Sequence, residues 1–125
     1  MLATIISILL AIAGFINFAP LMGILSTKRL TALYGVTIND PNLLILMKHR
    51  ALLFGIVGGF MLYAVFSPPL QPAAFVMGFI SMIGFIIITW GTGGYNPLLK
   101  KVAIIDLIAI FLLAIAALLS ITTQL

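Results

Sequence analysis

Cysteine is absent from this 125-residue chain, which excludes disulfide staples, thiol redox chemistry, thiolate metal sites and thioether-linked haem. Acids are nearly absent as well: Asp40 and Asp106 stand against six Lys and Arg. The one histidine, His49, supplies at most one strong axial ligand, so haem-type oxidoreduction has little to build on. Charged residues make up 6% of the chain, where a soluble domain carries roughly a quarter. That scarcity excludes an ordinary soluble domain. The net charge of +4 is too small and too scattered for a nucleic-acid surface, and neither a metal site nor a cofactor is expected.

What the chain has instead is apolar length. Hydrophobic residues make up 64% of it, gathered in four long stretches. Each is near the roughly 20 residues that cross about 30 Å of hydrocarbon as a helix. The expected fold is an all-α integral membrane protein, one domain over 1–125, with four transmembrane helices at about 2–25, 41–66, 73–91 and 97–122. The first stretch reads as a retained helix and not a cleaved signal, because residues 1–13 hold no Lys or Arg and its apolar run exceeds a signal-peptide core.

Charge placement sets the expected orientation. Lys28, Arg29, Lys48 and Arg50 fall between the first two spans, Lys100 and Lys101 between the last two, and none in the "SPPLQP" turn or at either terminus. The positive-inside rule then puts both basic connections in the cytoplasm and both termini on the outer, periplasmic side. Asp40-Pro41 and Asn96-Pro97 each pair a helix cap with a residue suited to the first helical position, so helices should begin at 41 and 97. From Pro41 to Phe66 an α-helix would run about 39 Å, longer than the hydrocarbon is thick. Lys48, His49 and Arg50 therefore belong at the cytoplasmic boundary. Leu30, Leu33, Tyr34 and Val36 suggest a short interfacial turn broken at Gly35.

Four polar residues stand out as a candidate ligand-binding or buried cluster: Asn17, His49, Arg50 and Asp106. Asp106 lies about 8 Å along the helix beyond Lys101. A carboxylate there is expensive and needs a partner, for which Arg50 is nearest in depth and His49 next. An ion pair fixing the second and fourth spans, a protonated Asp106 hydrogen-bonded to a neighbour, or a proton-linked or anion-binding site each satisfies that need. Asn17 precedes Pro20 in "GFINFAPLMG", where the proline frees the carbonyl of Ile16 and bends the helix. Gly55 and Gly59 form a small-xxx-small pair that either closes the bundle or joins it to a second copy or a larger complex. "GTGGYN" lacks the lysine-containing phosphate-loop pattern and reads as a flexible turn.

The stretches "LMKHRALLFGIVGG", "SPPLQPAA" and "GFISMIGF" resemble small four-helix proteins of the bacterial inner membrane loosely grouped as DoxX-like. That resemblance implies a multi-pass inner-membrane location, and the group's name suggests a quinone-linked oxidase partner. Some members carry a phosphopantetheine adenylyltransferase label, which this chain argues against, having no nucleotide-binding signature. Three functions fit the residues. The first is a bundle binding membrane lipid or another hydrophobic small molecule, or an accessory subunit of a membrane complex. The second is a membrane enzyme on a quinone or isoprenoid-type substrate, with His49 and Asp106 as acid and base. The third is a compact transporter coupled to protons through Asp106.

Overall fold

The computed structural model describes residues 1–24 and 27–124, and it is helical nearly throughout. Its helices are α1 (Leu2–Phe18), α2 (Thr27–Tyr34), α3 (Pro41–Ala64), α4 (Gln71–Thr92) and α5 (Pro97–Gln124). Among the described residues, four helical stretches are long and apolar enough to cross a membrane: Leu2–Ile24, Pro41–Ala64, Pro68–Thr92 and Pro97–Thr122.

Local chemistry sets most of the helix ends. The Asp40 carboxylate accepts the Asn42 N–H at 3.0 Å, and Pro41 opens α3. The Asn96 side-chain oxygen accepts the Leu99 N–H at 2.8 Å where Pro97 opens α5. Pro20 acts differently from a simple bend. With no N–H at residue 20, α1 stops at Phe18 and the chain tightens into a 3-10 helix over Ala19–Ile24. The helix end expected at residue 25 lies outside the described residues. On the other side of the bundle, α3 ends at Ala64 rather than 66, as Val65, Phe66 and Ser67 bond back three residues. α4 begins at Gln71 rather than 73, because Pro72 fits the first turn, where a missing N–H costs nothing. The Gln71 amide then donates to the Ala64 carbonyl at 3.2 Å, tying the two helix ends together.

α1 packs against α3 and α5, and α4 packs against the same two, giving an up-and-down ring in which neighbours run antiparallel. α3 and α5 face each other across one diagonal, while α1 and α4 touch across the other. Small residues draw the helices together: Ala13, Ala64, Ala74, Ala109 and Ala116 are fully buried around Leu10, Met61 and Leu113. The outer surface is the reverse of a soluble protein's. Ile80, Ile88, Phe111 and Leu118 expose between 63% and 69% of their surface, so the solvent this face matches is hydrocarbon.

The six basic residues sit at one end of the ring, on α2 and the first turns of α3 and α5. There α2 folds back under the bundle, burying Leu30 and Tyr34 with Ile38 in a second apolar cluster. Gly35, at φ +66°, makes the turn that ends α2, a conformation that favours glycine. Asn96 holds the turn in place, its amide donating to the Tyr34 carbonyl at 2.8 Å and the Gly35 carbonyl at 3.3 Å.

The small-residue surface of α3 is used inside the bundle. Gly55 is buried against Leu21, and a Cβ on Gly58 would run into the backbone of Phe18, whereas one on Gly59 would meet only the Phe18 ring, at 3.9 Å. Gly58→Ala should therefore cost about 1–3 kcal/mol through overpacking. Gly59→Ala should be neutral or gain up to about 1 kcal/mol from helix propensity. Unfolding of both variants in detergent checks this, and an equal loss in the two would contradict the packing.

Candidate functional site

Inward stripes bring the polar residues to one place. On α1 the buried positions run Ile6, Leu10, Ala13 and Asn17; on α5 they run Asp106, Ala109, Leu113 and Ala116. These steps of three and four residues mark one face of each helix. Asn17 and Asp106 are the members of those stripes nearest the basic end, at 3% and 9% exposure.

Asn17 is fully engaged. Its amide donates to the Ala13 carbonyl at 2.9 Å, and its oxygen accepts from the Ser81 hydroxyl at 2.8 Å, linking α1 to α4 across the bundle. Beside it lies a cavity of about 260 Å³ whose otherwise apolar wall includes Asn17, Tyr34, Arg50, Phe54, Phe85 and Asp106. Both charged groups line this space, and among the described residues neither forms a salt bridge or a hydrogen bond.

Arg50 is held by rings instead. Its guanidinium carbon lies 4.6 Å from the centroid of Phe54, 5.1 Å from Tyr34 and 5.6 Å from Phe85. Phe54 is one turn further along the same helix, Tyr34 comes from α2 and Phe85 from α4. Each contact is worth about 0.5–2 kcal/mol, the larger figure applying where water is excluded. The rings meet the cation with their π faces, and the guanidinium N–H groups have no protein acceptor among the described residues.

Two further cavities meet at the same point. A groove of about 450 Å³ runs between α3 and α4 from Arg50 past Val57, Ser81 and Gly84 to Met77, and its rim residues Leu53, Ile80 and Ile88 are exposed on the outer face. A space of about 380 Å³ opens toward the basic end, past Tyr34, Met47 and Tyr95. Arg50 and Phe85 line all three.

The structure thus brings Asn17, Arg50 and Asp106 to one cavity. It does not bring His49 there: that side chain is exposed and is absent from the walls of the three cavities at Arg50. A residue step turns an α-helix by about 100°, so when Arg50 faces in, its neighbour cannot. The sequence suggests an interfacial turn for Tyr34 and offers no role for Phe54 or Phe85. An Arg-x-x-x-Phe spacing on one helix was the available signal for Phe54. For Phe85 the sequence offers no local signal, since its position depends on how α4 packs.

If the Asn17–Ser81 bond joins α1 to α4, the two residues are energetically coupled. A double-mutant cycle of Asn17→Ala and Ser81→Ala should give a coupling of about 0.6 kcal/mol, the usual size between apolar helices, and strict additivity would contradict the contact. Comparison with known protein families, with curated proteins and with solved structures finds no match for this chain, so its functional reading rests on the cavity.

Proposed function

We propose that the chain is a multi-pass protein of the bacterial inner membrane that binds a hydrophobic small molecule bearing a polar group, with its basic end in the cytoplasm and both termini outside. The observation that carries this reading is the cavity at the basic end. It sets Arg50 and Asp106 into an otherwise apolar wall, with neither consumed by a salt bridge or hydrogen bond to a described residue. Ligand sites of small molecules have this composition: mostly apolar, with a few convergent polar groups. Asp106 is buried and Arg50 half-buried, and a role confined to pinning α3 to α5 would have the two close on each other, because a buried carboxylate without a partner is costly.

The proposed orientation is supported by the six basic residues gathered at one end and by the opposite end, where the α3–α4 turn carries no charge. The lack of native cysteine makes this direct to test. In whole cells Phe66→Cys, which replaces a side chain 86% exposed, should react with an impermeant maleimide. Thr37→Cys, exposed at the other end, should react only after permeabilisation, and the opposite pattern overturns the orientation.

For binding, the chain extracted in mild detergent should carry about one tightly held hydrophobic molecule through delipidation, visible as a mass adduct under native conditions. Phe85→Ala, which opens the wall shared by the three cavities, should lower its occupancy by at least about tenfold, the loss expected when a well-buried aromatic contact is removed. A wild-type chain that carries no adduct, or that co-purifies in fixed ratio with a protein instead, would count against the proposal.

A further inference from the structure

We propose that the α3–α4 groove is the seat of a single-chain carboxylic acid, its carboxylate on the edge of Arg50 and its hydrocarbon chain lying along Gly84. This rests on the hydrophobic-ligand reading and names the ligand's class and pose.

The groove is apolar apart from Arg50 at one end and Ser81 along its wall, and Ser81 is already bonded to Asn17. A lone cation in such a setting selects an anion. The guanidinium N–H groups have no protein acceptor among the described residues, and their planar fork matches a carboxylate through two parallel hydrogen bonds. Asp106 lines the neighbouring cavity and not the groove, so an anion reaching Arg50 from the α3–α4 side does not meet the protein's own carboxylate in the groove wall.

Gly84 opens the groove wall. Glycine inside a helix costs about 1 kcal/mol relative to alanine, and is usually kept where a neighbour packs against it. Gly55, Gly58 and Gly78 fit that rule, because a Cβ on each would collide with another helix or with the 3-10 turn, while Gly59 and Gly91 are nearly unobstructed and lie outside the groove. At Gly84 a Cβ would meet nothing within 4 Å, although the residue lies in the groove wall. The smooth wall therefore faces a space that no part of this chain fills. The groove's direction also suits an amphiphile. Arg50 stands near the basic end, while Val57 and Met77 lie toward the middle of the bundle, so the polar head sits near the boundary and the chain points inward. Along α4 it spans Met77 to Ile88, about 16 Å at 1.5 Å per residue. A volume of about 450 Å³ suits one chain and not the paired chains of a phospholipid.

The test uses the full chain in phosphatidylcholine nanodiscs, with labelled palmitate measured at equilibrium. Wild type should bind one palmitate, and hexadecanol and phosphatidylglycerol should each compete at least about tenfold more weakly than unlabelled palmitate, reflecting the lost charge-assisted hydrogen bonds and the second chain. Gly84→Leu should weaken binding at least about tenfold while melting within a few degrees of wild type, as nothing in the fold occupies its place. Gly91→Leu, equally unobstructed on the same helix but outside the groove, should bind as wild type does. Arg50→Gln should weaken palmitate and leave hexadecanol unchanged. Undiminished palmitate binding in Gly84→Leu, or equal competition by hexadecanol or phosphatidylglycerol, overturns the proposal. A wild-type chain that ignores palmitate yet retains a neutral hydrophobic molecule from the membrane overturns this inference alone, whereas one that retains none overturns the broader reading too.

Discussion

A guanidinium ion removed from water loses several kcal/mol of hydration, and an apolar bundle tolerates it only if something else takes up the charge. In this chain the substitute for water is aromatic. Phe54, Tyr34 and Phe85 surround Arg50 from three different helices, and the whole basic end is arranged to deliver them. Tyr34 reaches the guanidinium because α2 folds back under the ring, which requires the left-handed turn at Gly35 and the Asn96 clamp on its carbonyls. Phe85 reaches it because α4 packs beside α3.

This arrangement divides the bundle along its length. Away from the basic end, alanines and glycines bring the helices close, and Met61, Leu113 and their neighbours fill the interior. Near the basic end the helices enclose cavities, and polar groups appear at the last inward positions of α1 and the first of α5. The Asn17–Ser81 bond sits where the two regimes meet. Tight packing below and open space above is the arrangement of a rigid scaffold holding a small site, with Asn17 and Asp106 toward the open end and the buried Gln71 tying α3 to α4 at the other.

Much of the scaffold was legible in the residues. Apolar length gave the four long helices, and the Asp40-Pro41 and Asn96-Pro97 pairs gave the starts of two of them, because caps and prolines act locally. The inward positions of Asn17 and Asp106 could also have been read from three-and-four spacing with their apolar neighbours. Other features depended on helix rotation and packing, which no local pattern encodes. Lys48, His49 and Arg50 are adjacent, and only the placement of α2 and α4 decides that Arg50 is the one facing in. Gly58, not Gly59, lies against the Phe18 backbone for the same reason. Pro20 was read as a bend, but the chain answered its missing N–H with a 3-10 helix.

The account stands or falls on Arg50 being kept for a ligand instead of being paired with Asp106. A structure of the chain in a lipid bilayer at a resolution that shows side chains tests this most directly. It should show an elongated density starting at the Arg50 guanidinium and running between α3 and α4 along Gly84, with the three aromatic rings in place. A direct Arg50–Asp106 salt bridge in a closed, filled interior would contradict the account and leave those two residues as a pin between helices.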